Sequence, residues 1–130
     1  MKYFTIISIL LLSLIMTSVS GQNMQPGKQD KVLRHVVLFK FKDSASQNDI
    51  ATVEKAFAAL ADKIELIKDF EWGTNNSPEG LDQGLTHCFL VTFASEEDRD
   101  AYLVHPDHKA FVTILRPHLD KATVVDYWTR

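Results

Sequence analysis

The segment from Val32 to Phe41 is a strand with apolar residues on both faces, and this constrains the fold more than any other feature. Its Val, Leu and Phe residues are typical of a β-strand. One parity carries His35, Val37, Phe39 and Phe41, and the other carries Arg34, Val36, Leu38 and Lys40. Because successive side chains of a strand point to opposite faces, both faces of its sheet have apolar surface to bury.

A helical pattern follows the first strand. Ser44 and Ser46 are candidate N-terminal caps. Apolar residues then recur at spacings of three and four, at Ile50, Val53, Phe57, Leu60 and Ile64. This stripe predicts an amphipathic helix of about 18 residues that packs on the core and carries no chemistry.

The rest of the chain adds three strands and a second helix. Strands are predicted over Ile67 to Thr74, Leu85 to Phe93 and Ala122 to Trp128. Turn-forming residues occupy 75–84. A helix is expected after Ser95, broken near Pro106, with Asp107 as a candidate cap for the piece that continues.

The resulting order is β-α-β-β-α-β, which predicts an α+β, ferredoxin-like protomer with a four-stranded antiparallel sheet. The two helices can cover only one face of that sheet. A second copy packed face to face would cover the other, so we expect a homodimeric α+β barrel with a cavity lined by both chains.

The N-terminal residues are expected to lie outside this domain. Residues 1–20 combine Lys2, an apolar run and a small-residue Ser18-Val19-Ser20 ending, which predicts a cleaved signal peptide. The run is shorter than the ~20 apolar residues of a spanning helix. We therefore expect residues 21–31 as a flexible leader, 32–130 as the folded domain, and export to the periplasm or the exterior without a membrane anchor.

Charge and cysteine content exclude some classes of protein. The net charge is −3, and loss of residues 1–20 removes one Lys and no acid. A mildly acidic domain without a basic stripe is not typical of a nucleic-acid-binding protein. The single Cys88 excludes an internal disulfide, and its apolar neighbours predict burial as a small hydrophobic residue.

The segment YLVHPDH, from Tyr102 to His108, concentrates proton-handling side chains. It holds one of three tyrosines and two of the five histidines of the chain. A neutral His108 near a helix start could take a proton from a carbon next to a carbonyl, and Tyr102 could donate to the oxyanion. Six residues separate the two, so a bend at Pro106 is needed to bring them together. Proline also disturbs the spacing of His105 and His108, so no metal site is expected.

Five segments in this order resemble the stress-responsive A/B barrel (Dabb) domain family: HVVLFKFKD (35–43), KDFEWG (68–73), THCFLVTF (86–93), YLVHPDHKAF (102–111) and VVDYW (124–128). The resemblance implies a ferredoxin-like protomer that dimerises into an α+β barrel. A plant polyketide cyclase of the family uses a His and a Tyr without metal or organic cofactor. Its pattern matches Tyr102 and His108 here, and its strand histidines match His35 and His87.

Three functions remain open at this point. The first is binding of a small apolar or aromatic ligand, in a stress-linked role, within a cavity bordered by Tyr102, His108, His35, His87 and Trp72. The second is a cofactor-independent cyclase, lyase or isomerase with His108 as base and Tyr102 as oxyanion donor. The third is a purely structural dimer with a filled interior. Export argues against a literal polyketide cyclase, because the synthases that supply such substrates are cytosolic.

Overall fold

The secondary structure follows the predicted order, with each helical connection divided into two pieces. The computed structural model describes residues 30–130, so the expected signal peptide and residues 21–29 of the expected leader lie outside the described residues. The elements are β1 (Leu33–Phe41), α1 (Gln47–Ala58), α2 (Leu60–Lys63), β2 (Asp69–Thr74), β3 (His87–Phe93), α3 (Glu96–Val104), α4 (Pro106–Leu115) and β4 (Leu119–Trp128).

The four strands form one antiparallel sheet in the order β2-β3-β1-β4. Strand β1 is therefore central, paired with β3 on one side and β4 on the other. This topology confirms the ferredoxin-like prediction. Among residues 30–130, no helix is long and apolar enough to cross a membrane.

One face of the sheet carries the core. In β1 the buried residues alternate strictly with partly exposed ones, and the buried parity is the one that contains His35. The helices cover this face. The core consists of Leu33, Val37, Phe39, Phe41, Val53, Phe57, Leu60, Ile64, Ile67, Phe89, Val91, Phe93, Tyr102, Phe111 and Leu115.

Within residues 30–130, no helix covers the opposite face, which we call the open face. Val36 pairs with Leu90 on one side and with Val125 on the other, so an apolar row crosses three strands. Val125 is 54% exposed. The predicted burial of Cys88 is wrong for the protomer: the thiol is exposed, because its parity places it on this face. Partial desolvation still raises the pKa of the Cys88 thiol.

The first helix is shorter than predicted, and its cap is Ser46 and not Ser44. The Ser46 hydroxyl accepts from the Asp49 backbone N–H, and the Asp49 carboxylate accepts from the Ser46 backbone N–H. This reciprocal pair is a capping box. Helix α1 ends at Ala58, and the remaining apolar positions lie on α2 and the turn after it.

The second helix is broken where proline predicts it. His105 is extended and ends α3, and the same residue caps α4, with Pro106 in the first helical turn. The predicted cap, Asp107, lies inside the first turn, and its backbone N–H donates to His105 Nδ1 at 3.2 Å. His105 therefore has a structural role at the junction of the two helices.

Candidate active site at the helix break

A cavity of about 500 Å³ lies between the helix-covered face of the sheet and helices α3 and α4. Its wall is mainly apolar, with several polar side chains among the lining residues. The polar lining residues are His35, Arg99, Asp100, Tyr102, His108 and Asp126, and the apolar ones include Val37, Phe39, Phe57, Phe111, Leu115 and Val124. This cavity lies within one protomer.

Tyr102 contributes a buried hydroxyl without a partner. The residue is fully buried, and its hydroxyl oxygen makes no hydrogen bond within the described residues. Burial raises the pKa of this phenol well above its ordinary value, so the hydroxyl keeps its proton. A buried polar group without a partner is costly, and in native proteins such a group often marks a functional site.

His108 lies beside Tyr102 because of the helix break. The two ring centroids are 4.4 Å apart, with 48° between the ring planes. His108 Nδ1 donates to the Leu103 carbonyl oxygen at 3.1 Å, a contact that reaches back across the break to α3. A proton held on Nδ1 leaves Nε2 of the neutral ring as an acceptor.

The environment of His108 favours its neutral form. Burial lowers the pKa of the imidazole, and the nearby His35 and His105 lower it further. The hydrogen bond to Leu103 acts in the opposite direction but is outweighed. A neutral imidazole beside a protonated phenol is a base next to a hydrogen-bond donor, the arrangement that proton abstraction next to a carbonyl needs.

His35 reaches the same cavity from the central strand. Its ring lies edge-on to Tyr102, with centroids 6.0 Å apart. Its Nδ1 contacts Asp126 Oδ1 at 2.7 Å, and the other oxygen of that carboxylate accepts from Arg99 at 2.6 Å. The structure thus brings together His35, Tyr102 and His108, with a carboxylate and a guanidinium behind them.

The sequence did not identify Asp126 or Arg99. Asp126 is the one charged residue in the predicted strand Ala122 to Trp128, and only the pairing of β1 with β4 places it beside His35. Arg99 lies among acidic residues in the run EEDRD, a pattern that indicates a solvent-exposed charge. The available signal was a charged residue directly after the apolar pair Val124 and Val125.

His87 and Trp72 lie elsewhere. His87 Nε2 contacts Glu54 Oε1 at 2.8 Å, and its Nδ1 contacts the Thr86 hydroxyl at 2.8 Å. The Trp72 ring lies almost parallel to His87, at 8°, with centroids 6.2 Å apart. Both residues border a second concavity of about 820 Å³. Loop residues and the open face of the sheet supply the rest of its wall.

No group of three or more His, Cys, Asp or Glu side chains within residues 30–130 is arranged to hold a metal ion. The chemistry open to the cavity from its own residues is hydrogen bonding and proton transfer.

The ferredoxin-like topology and the cavity are together typical of a protomer from the class of dimeric α+β barrel proteins. The family model described as the stress-responsive A/B barrel domain (Dabb) matches residues 33–129, and the chain belongs to this family. The resemblance seen in the sequence is thereby confirmed.

Two curated relatives span most of the chain. The stress-response A/B barrel domain-containing protein HS1 of Arabidopsis thaliana is 44% identical over 95 residues, which cover 73% of this chain and 87% of HS1. Olivetolic acid cyclase of Cannabis sativa is 31% identical over 98 residues, which cover 75% of this chain and 97% of the cyclase.

Solved structures share the fold. The hydroxynitrile lyase of Passiflora edulis superposes with a TM-score of 0.73 at 26% identity, over 78% of this chain and 95% of the lyase. A ferredoxin-like protein of unknown function from Bacteroides fragilis, described as dimeric, superposes with a TM-score of 0.62 at 28% identity, over 75% of this chain and 96% of that one.

Proposed function

We propose that this protein is an exported homodimer that binds a small apolar or aromatic compound bearing an acceptor oxygen, in a stress-linked role. The observation that carries the proposal is that Tyr102, which lines an apolar cavity, has a buried hydroxyl without a partner among residues 30–130. A carbonyl or similar oxygen of a ligand would accept from that hydroxyl, while the ligand's apolar part occupies the space beside Phe57 and Phe111. An open cavity of this size also speaks against a filled interior with a purely structural role.

Native mass spectrometry of the protein purified from its own host would reveal a retained ligand. A defined probe gives a sharper test: the affinity of residues 21–130 for acetophenone, measured by calorimetry. Tyr102→Phe is expected to weaken binding by about tenfold, the value of one hydrogen bond. Tyr127→Phe makes the same chemical change on the open face and should leave the affinity unchanged. Equal affinities for all three proteins would contradict the proposal.

The dimer half of the proposal rests on the open face, with its apolar row through Val36, Leu90 and Val125, and on the dimeric state described for the Bacteroides fragilis neighbour. Packing two open faces together would remove this row from water. Light scattering on residues 21–130 should give the mass of a dimer. A monodisperse monomer at micromolar concentration would contradict it.

Catalysis without a cofactor is the second candidate, favoured by the contact between Tyr102 and His108. His108 Nε2 would take a proton from the substrate, and the Tyr102 hydroxyl would donate to the oxygen on which negative charge develops. The names of two relatives, a cyclase and a hydroxynitrile lyase, indicate that this fold supports such reactions.

A screen with β-polyketones and with mandelonitrile would test this second candidate. Any activity found should disappear in both His108→Ala and Tyr102→Phe, and it should persist in His118→Ala, which changes a histidine outside the cavity. Unchanged rates in the two cavity variants would refute the catalytic roles.

A further inference from the structure

The pair formed by His35 and Asp126 is the least expected part of the cavity. The two residues are direct partners in the pairing of β1 with β4, so both side chains lie on the helix-covered face. The His35 side chain is only 7% exposed and that of Asp126 22%. A carboxylate this close to a buried imidazole fixes where the imidazole carries its proton, because Asp126 can only accept.

Arg99 holds the carboxylate in place. Its guanidinium donates to Asp126 Oδ2 at 2.6 Å and to Asp100 Oδ1 at 2.8 Å. Asp126 therefore has one oxygen on Arg99 and the other on His35. This division leaves the carboxylate little freedom to rotate away from His35, and α3 is thereby connected to the edge strand of the sheet.

The contact sets the tautomer of His35. With the proton on Nδ1 and donated to Asp126, the Nε2 atom is left as an acceptor. No hydrogen bond within residues 30–130 engages Nε2.

We propose that Asp126 is a positioning residue that holds His35 with Nε2 as the acceptor for a hydroxyl group of the ligand. The proposal rests on the proposed function and narrows it. Tyr102 supplies a donor, and His35 and His108 supply acceptors from two different walls of the cavity. The compounds that satisfy Tyr102 and His35 together are those with a hydroxyl beside an acceptor oxygen, such as hydroxyketones, and not simple ketones.

The tautomer can be read without any ligand. Long-range proton–nitrogen NMR on histidine-labelled residues 21–130 should show His35 protonated on Nδ1 in the natural protein. In Asp126→Ala the His35 signals should move toward the Nε2-protonated form, and in Asp126→Asn, whose amide oxygen still accepts, they should stay close to the natural pattern. Asp100→Ala removes the other partner of Arg99 and is the control.

A merely structural Asp126 would lower stability in Asp126→Ala and leave the His35 tautomer unchanged, which would overturn the proposal. The second arm compares 2-hydroxyacetophenone with acetophenone. The natural protein should prefer the hydroxyketone by about tenfold, and Asp126→Ala should lose this preference while it still binds acetophenone. Equal binding of the two ketones by the natural protein would overturn the assignment of a hydroxyl ligand. If neither ketone bound, the proposed function would fail, and the tautomer measurement would still decide the role of Asp126.

Discussion

The rings of Phe57 and Phe89 stack with their centroids 4.4 Å apart and 27° between their planes. The contact attaches α1 to strand β3, and both residues are almost completely buried. Phe57 also lines the cavity and lies against Phe111 of α4, with centroids 4.5 Å apart. Phe57 therefore belongs both to the hydrophobic core and to the lining of the candidate site.

Phe57→Ala is expected to reduce the free energy of unfolding by about 3–5 kcal/mol, because it removes a buried ring and leaves a space that the neighbours fill only in part. Urea unfolding followed by circular dichroism measures the loss. Phe70, which is only partly buried, is the matched control, and Phe70→Ala should cost clearly less. Similar losses at the two positions would contradict this view of the core.

Tyr102→Phe is expected to raise the free energy of unfolding, in contrast to Phe57→Ala. The change removes a buried hydroxyl without a partner, so the ligand-free protein should become more stable by about 1 kcal/mol. Tyr127→Phe on the open face should change stability by less than about 0.5 kcal/mol. Thermal unfolding of ligand-free protein checks both, and a clear loss of stability in Tyr102→Phe would indicate that the hydroxyl is satisfied within the fold.

His108 should make stability depend on pH. Burial holds its pKa in the folded protein below the ordinary value of about 6.5, so the unfolded chain binds the proton more readily. Stability should therefore fall as the pH drops through about 6.5 toward the lower folded pKa. His35 and His105 face the ring and add to the effect, while the Leu103 carbonyl opposes it.

The measurement compares urea midpoints of the natural protein and His108→Asn at about pH 7.5 and about pH 5.5, on either side of the ordinary histidine pKa. The natural protein should lose more stability between the two than the variant does. Equal losses would show that His108 does not contribute.

Val125→Asp should separate the proposed dimer into monomers, because it places a charge in the apolar row of the open face. Val124→Asp is a close control. Val124 is 52% exposed and Val125 is 54% exposed, but the two adjacent side chains point to opposite faces of β4. Light scattering should show a monomer for Val125→Asp and a dimer for Val124→Asp. A dimer in both would place the interface elsewhere.

Ser46→Ala should cost about 1 kcal/mol through loss of the capping box. Ser44→Ala, two residues earlier and outside the cap, should be close to neutral. Denaturant unfolding distinguishes them, and equal effects would show that the capping pair with Asp49 contributes nothing.

Much of the fold could be predicted because it depends on local periodicity. Alternation in β1 and the three-four spacing up to Ile64 follow from the geometry of strands and helices. Pro106 predicts the break because proline cannot occupy a helix interior without loss of a hydrogen bond. The length of α1 was missed, because the apolar stripe continues across the short interruption at Ala59.

The site was harder to predict because its partners come from distant segments. Tyr102 and His108 share one segment and could be found together, whereas Asp126 meets His35 only through a pairing that spans 91 positions. His87 lies on the same face as His35 but at the other end of the pairing between β1 and β3, and the alternation of residues within one strand does not reveal this position. Cys88 was misjudged because apolar neighbours in a strand do not reveal whether the opposite face has a cover.

His105 ends one helix and caps the next, and this restricts the number of residues that can separate Tyr102 from His108. Each residue of an α-helix turns the chain by about 100° and advances it by about 1.5 Å. A deletion or insertion between Tyr102 and His108 would therefore swing the imidazole away from the phenol, whereas a substitution on the exposed side of α4 would not. In variants of this protein, the contact between the two rings therefore depends on the six-residue interval from Tyr102 to His108.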